Sequence, residues 1–247
     1  MRKSVTLTKG WRFLKAAIPV ETAMAYARKG EEVTLPHTWN ALDGQDGGND
    51  YHRGKCWYVR EIRPEELSGE ANFLEINGAN HTAEVYLDGA LLARHEGGYS
   101  AFRVELPHPG ILAISVDNGD SDRVYPQKAD FTFYGGLYRD VNIVSVPREH
   151  FELVKDGTPG IKVTPVVDLG IKRAVVTVEA WHNAETVDIT VNGETKTVEN
   201  TAVFTIENVR LWDGVFDPYL YTASPKLPSG DEVSVRFGRA HNRSHLP

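Results

Sequence analysis

Short runs of aromatic and β-branched residues follow one another through this chain, each closed by a turn signal. Asp88-Gly89 stands between Glu84–Leu87 and Ala90–Arg94, and Asn192-Gly193 between Asp188–Val191 and Thr195–Val198. Dipeptides of this kind favour the two-residue hairpin whose twist matches that of its strands. Between Lys55 and Val146 the runs recur every ~8–12 residues, the rhythm of a sandwich or barrel. After Pro147 the rhythm restarts and continues to Phe237. The only helix-like run is Ala-rich Val20–Lys29, stopped by Gly30. The pattern predicts an all-β protein of two units, a sandwich or barrel over residues 1–147 and a sandwich over 148–240, followed by a polar tail, 241–247.

Composition narrows the functions. With 41% hydrophobic and 25% charged residues, the 247-residue chain can bury a core. The net charge of −7 is interleaved, with no basic stripe for nucleic acid and no basic amphipathic segment for a membrane surface. No run approaches the ~18 apolar residues of a spanning helix. The N-terminus lacks the apolar core of a signal peptide, and the reading places the protein in the cytoplasm. Cys56, the single cysteine, lies beside Trp57 and reads as a buried small hydrophobe. The glycine-rich loop 40–50 carries Asp43, Asp46 and Asp50, but their spacing is not that of a calcium loop. His241 and His245 stand at metal-like spacing, yet in a tail that would give zinc no support.

The stretch that carries chemistry is Ala129–Val144. A carboxylate, Asp130, is followed by Phe131, Phe133 and Tyr134, then by Gly135-Gly136 and a segment in which Leu137, Arg139, Val141 and Ile143 alternate with polar residues. The glycines allow a turn that a side chain would block, and the alternation predicts a strand with one buried face. Sugars offer hydroxyls to a carboxylate and C–H faces to aromatic rings. The same pattern also suits an exposed turn acid beside core aromatics.

Six stretches together resemble glycoside hydrolase family 2, the β-galactosidase and β-glucuronidase family. They are Leu35-Pro-His-Thr-Trp39, Tyr51–Tyr58, Phe73–Gly78, Ala83–Gly89, His95–Phe102 and Asp130–Val141, with a weaker echo at Leu211–Tyr221. The resemblance implies a jelly-roll, galactose-binding-like sandwich followed by an immunoglobulin-like sandwich. It implies that the two catalytic glutamates belong to a (β/α)₈ barrel, for which this chain shows neither an Asn-Glu dipeptide nor a strand–helix repeat. It makes Asp130 a ligand of the terminal sugar and, in some β-galactosidases, of a sodium ion. Tyr51 and Arg53 become further substrate contacts, although the sugar-contacting Asn common near that position is missing between Tyr51 and Lys55. Arg139 and Asp140 are expected to pair at the sheet end.

The expectation is therefore a non-catalytic N-terminal region of a β-galactosidase-like hydrolase, inactive alone. Its partners would be a galactoside or related carbohydrate and the barrel, with sodium in the complete enzyme, no cofactor of its own, and room for a homo-oligomer. One competing reading is a free-standing carbohydrate-binding module with Trp39, Trp57, Tyr99 and Tyr134 as platform candidates. Another is an adhesion or assembly protein built from two spacers.

Overall fold

The computed structural model describes residues 1–26, 29–43, 50–124 and 131–238. Asp130, Asp46, Ala27 and Arg28 of the expected helix, and the tail with His241 and His245 lie outside the described residues. The chain divides into two compact units, Lys3–Ser145 and the remainder from Val146 onward, which also includes Met1–Arg2.

The first unit contains β1 (Lys3–Thr6), β2 (Trp11–Leu14), α1 (Val20–Ala25), β3 (Glu31–Val33), β4 (Lys55–Ile62), β5 (Ala71–Ile76), β6 (Thr82–Leu87), β7 (Ala90–Glu96), β8 (Phe102–Glu105), β9 (Gly110–Asp117) and β10 (Val141–Val146). Six strands form one antiparallel sheet, ordered β3-β2-β4-β9-β6-β7, and four form the other, β1-β10-β5-β8. Their inner faces share one core, with Trp11, Tyr58, Leu74, Ile76 and Ile114 at its centre. Each such side chain contributes roughly 1.5–3 kcal/mol by leaving water. The six-residue α1 covers the opposite face of the larger sheet and buries Ala23 with Trp57, Val59 and Ala113.

The second unit contains β11 (Ile161–Asp168), β12 (Arg173–Ala180), β13 (Val187–Val191), β14 (Glu194–Val198), β15 (Thr201–Glu207), β16 (Tyr221–Lys226) and β17 (Val235–Phe237). Sheets β11-β12-β15 and β14-β13-β16-β17 enclose a core around Phe151, Val176, Ile189 and Phe204. This is the three- and four-stranded count of an immunoglobulin-type sandwich. Burial alternates residue by residue along β15, as a strand with one wet face requires. Asp231 is fully buried in this unit, where it accepts both guanidinium bonds of Arg2 at 3.0 and 2.9 Å and the Phe151 N–H at 2.9 Å.

The described residues are thus all-β, two sandwiches with no closed barrel among them. Among the described residues no helix is long and apolar enough to cross a membrane. Both expected hairpins are present, and Asp88 and Asn192 take the positive φ that a two-residue turn of this type demands.

Two details differ from the sequence reading. Regular pairing after the Gly135-Gly136 turn starts only at Val141, and β10 is buried along its whole length instead of alternating. The polar positions survive burial because each is bonded. Asn142 accepts from Thr6 Oγ1 at 2.8 Å and donates to Glu75 at 2.9 Å, and Ser145 donates to Asn72 at 2.7 Å. Arg139 has no ion pair with Asp140; it donates to the Tyr99 carbonyl at 2.8 Å and lies over the Tyr138 ring. A chain turning back at the end of a sheet leaves carbonyls unpaired, and the guanidinium fork satisfies them.

Candidate functional site

The segment after Asp130 forms one wall of a hollow of about 390 Å³ in the first unit. Thr38, Asn80, Tyr99, Phe131, Tyr134 and Tyr138 line it. Tyr99 is 63%, Phe131 52% and Tyr134 39% exposed, so three aromatic side chains reach solvent around one recess. Of the four platform candidates, Tyr99 and Tyr134 line this recess. Trp39 is core, stacked on Phe13 at 5.9 Å, and Trp57 lies under α1.

The recess is held from beneath. Gly135 packs directly on Trp39, and a Cβ there would meet the indole at 2.0 Å. That approach explains the glycine better than turn geometry alone. The Asn80 amide donates to the Tyr134 carbonyl at 2.7 Å, and the Asn80 backbone N–H donates to the Gly136 carbonyl at 3.1 Å. The Tyr138 hydroxyl donates to the Gly98 carbonyl.

Behind the wall, two fully buried asparagines join the β3–β4 and β9–β10 connections. Asn118 Nδ2 donates to the Phe133 carbonyl at 2.9 Å and to Asn40 Oδ1 at 3.2 Å, and Asn118 Oδ1 accepts the Gly54 N–H at 2.9 Å. Asn40 Oδ1 accepts the Gly135 N–H at 2.8 Å, while its amide donates to Asp43 and to the His52 carbonyl, each at 3.0 Å. An amide carries two donors and an acceptor, so it can satisfy backbone groups of several loops at once.

Tyr51 and Arg53 act in this same scaffold. The Tyr51 hydroxyl accepts the Phe133 N–H at 3.1 Å. The Arg53 guanidinium lies 5.1 Å from the Phe133 ring centre, donates to the Asn118 carbonyl at 3.0 Å and pairs with Asp120 at 3.1 Å. Neither residue lines the recess; both grip the residue that positions it. The sodium contact expected at Asp130 falls, with that residue, outside the described residues. Among the described residues no three His, Cys, Asp or Glu side chains gather as a metal site.

The electrostatics beneath the recess favour neutral groups. His81 is buried edge-on against Phe133. Burial lowers its pKa and Arg53 lowers it further, opposed by the Gly119 backbone, Asp117 and Asp120. Neither ring nitrogen makes a well-formed hydrogen bond. His37 shares a 2.7 Å hydrogen bond with the Tyr58 hydroxyl, and burial lowers the histidine pKa and raises the phenol's. Burial pushes the Cys56 thiol up to about 12, which removes it as a nucleophile at neutral pH.

Two β-sandwiches, the first bearing a solvent-open aromatic recess, define the chain as an all-β protein of two compact units. No protein-family model matches the chain. Its sequence is 28% identical to a Bacteroides fragilis β-glucuronidase over 92% of this chain and 35% of the relative. It is 24% identical to a Thermoanaerobacterium thermosulfurigenes β-galactosidase over 96% of this chain and 37% of the relative. Among solved structures, a Parabacteroides merdae β-glucuronidase matches with a TM-score of 0.80 and 26% identity, over 97% of this chain and 36% of that one. A Bacteroides uniformis β-glucuronidase matches at 0.82 and 25%, over 97% and 35%. The chain belongs to the β-galactosidase/β-glucuronidase family of glycoside hydrolases. It spans about a third of the length of the relatives it matches.

Sequence reasoning missed Asn40, Asn80 and Asn118. Each lies next to a strand end or turn and looks like an ordinary loop residue. The one available signal was the number of loops converging on Phe133, which no local pattern encodes.

Proposed function

We propose that this chain supplies the non-catalytic, sugar-contacting wall of a β-galactosidase-like active site. Hydrolysis of the glycosidic bond would be carried out by two carboxyls on a barrel domain. In retaining enzymes those carboxyls stand ~5–5.5 Å apart, one as nucleophile and one as acid/base. Asp130 accepts hydroxyl hydrogens of the terminal sugar, and the aromatic recess that follows it receives an apolar face of the substrate. Tyr51 and Arg53 serve the same contact by fixing Phe133. The reading takes the substrate to be a β-galactoside or a related β-glycoside.

The observation that carries the reading is the recess itself. Three of the eight residues lining one hollow are solvent-facing aromatics, and two buried asparagines brace the loop that carries Phe131 and Tyr134. Rigid support of this kind is what a site positioning substrate requires. The same recess also keeps a second reading alive, a carbohydrate-binding module that works unaided, since its aromatic lining is complete within the described residues.

Calorimetric titration of the chain with galactose and methyl β-galactoside separates the two. The proposed reading expects no saturable heat, because the carboxylate and the ring platform face only part of the sugar. Binding with a Kd of about 1 mM or tighter, lost in Phe131→Ala, would establish the module instead.

A further inference from the structure

The second unit has a hollow of about 340 Å³ that shares no residue with the recess described above. Its floor is tied by backbone bonds. Glu152 N–H donates to the Trp181 carbonyl at 2.9 Å, and Trp181 N–H donates to the Gly160 carbonyl at 2.8 Å. Glu152 Oε1 accepts the Leu153 and Val154 N–H groups at 3.0 and 2.8 Å. This pins the following 3₁₀ turn, Lys155–Gly157. The turn sets the Lys155 ammonium 4.6 Å from the centre of the Trp181 ring.

Trp181 is unlike the buried tryptophans. Trp11, Trp39 and Trp57 each donate their indole N–H to a backbone carbonyl. Trp181 is only partly buried, and its indole N–H has no hydrogen-bond partner among the described residues. Lys155 has no carboxylate partner there either, and the exposed side-chain amide of Asn200 is likewise unpaired among them. Asn183 is taken up by structure, accepting the His150 N–H at 2.7 Å and donating to the Arg148 carbonyl at 2.8 Å. His182 Nε2 faces the Glu199 carbonyl at 2.9 Å and therefore carries the proton, leaving Nδ1 as an unsatisfied buried acceptor.

An indole, an ammonium without a carboxylate partner and an unpaired side-chain amide thus line one hollow. Each matches a different part of one ligand class. A pyranose ring lays C–H groups on an indole, its hydroxyls exchange hydrogen bonds with an amide, and a carboxylate answers an ammonium. We infer that this hollow is a binding site for a uronic acid residue of an acidic saccharide, with Trp181 as platform, Lys155 on the carboxylate and Asn200 on a hydroxyl. In the empty site Lys155 rests on the indole, and it swings to the ligand's carboxylate as the ring takes its place.

The inference is independent of the role proposed for the first unit. It is tested on the whole 247-residue chain by following indole N–H resonances in NMR spectra, with trigalacturonate as probe and maltotriose as its neutral counterpart. The Trp181 signal, identified by its loss in Trp181→Phe, should move with trigalacturonate at a Kd on the order of millimolar. Maltotriose should bind at least about tenfold more weakly, and Lys155→Gln should weaken trigalacturonate by about the same factor. Phe131→Ala should leave the titration unchanged, so failure at one site is read separately from failure at the other. The remaining indole signals report whether each variant is folded. A Trp181 signal indifferent to trigalacturonate overturns the inference. So does equal response to the neutral trimer, or full affinity in Lys155→Gln.

Discussion

Replacing Asn118 by alanine tests how the loop that walls the recess is held. The side chain is fully buried, and its loss affects four partners unequally. Asn40 Oδ1 keeps the Gly135 N–H at 2.8 Å, and the His52 carbonyl keeps the Asn40 amide at 3.0 Å. The Phe133 carbonyl and the Gly54 N–H lose the side-chain bonds, both 2.9 Å, that tie them to Asn118. A buried polar group left unsatisfied costs about 1–3 kcal/mol. The first bond is buried and the second only partly so, which sets the expected loss at about 2–4 kcal/mol. Urea unfolding followed by tryptophan fluorescence reads it directly. With m of about 1–3 kcal/mol per M, the midpoint of the first unit should fall by roughly 1–3 M. Asn118→Asp should be at least as damaging, because its second oxygen would face the Phe133 carbonyl and Asn40 Oδ1 in place of a donor. A loss below about 1 kcal/mol in Asn118→Ala, or a tolerated Asn118→Asp, would refute the claim that this amide braces the loop.

Three further outcomes follow from the same geometry. Cys56, buried and with its thiol pKa raised to about 12, should resist alkylation at pH 8 in the native protein and react once urea unfolds the first unit; rapid labelling of the native state would contradict the burial. His81 has a folded pKa below its unfolded value of about 6.5, so its contribution to stability is complete above that pH and declines as pH falls towards the folded value. Denaturation curves at pH 7.5 and 5.5 should show that decline, and His81→Phe should flatten it; an unchanged slope would assign the effect to other groups. Arg2→Ala should leave the Asp231 carboxylate buried with the Phe151 N–H as its remaining contact from outside its own turn, destabilising the second unit by about 3 kcal/mol, at the lower end for a broken buried pair because Arg2 is partly exposed. Thermal unfolding with a downward shift confined to that unit is the expected result, and no shift would show that the pair is immaterial.

The elements legible in sequence are those set by local chemistry. Asp88-Gly89 and Asn192-Gly193 encode their hairpins because so few residue types tolerate the backbone angles involved. The alternation of β15 is likewise written in its residues, Ala202, Phe204 and Ile206 facing inward. What escaped the sequence depends on neighbours far away. β10 carries Asn142 and Ser145, which look solvent-facing until Thr6, Glu75 and Asn72 are placed beside them. Trp39 and Tyr134 are equally plausible as sugar platforms by type. Only the close approach of Gly135 to the indole shows that one is floor and the other is rim. The pairing of Asn40 with Asn118 joins residues 78 positions apart, and no spacing rule reports it.

The central claim is tested most directly by joining this chain to the portion of the Bacteroides fragilis β-glucuronidase that it does not match and measuring kcat/KM on p-nitrophenyl β-glycosides. The chain alone should release no p-nitrophenol, the joined protein should, and Asp130→Ala in the joined protein should lower kcat/KM at least about tenfold, the loss expected for one hydrogen bond to a charged group. Turnover by the isolated chain would contradict the account, as would a joined protein indifferent to Asp130→Ala.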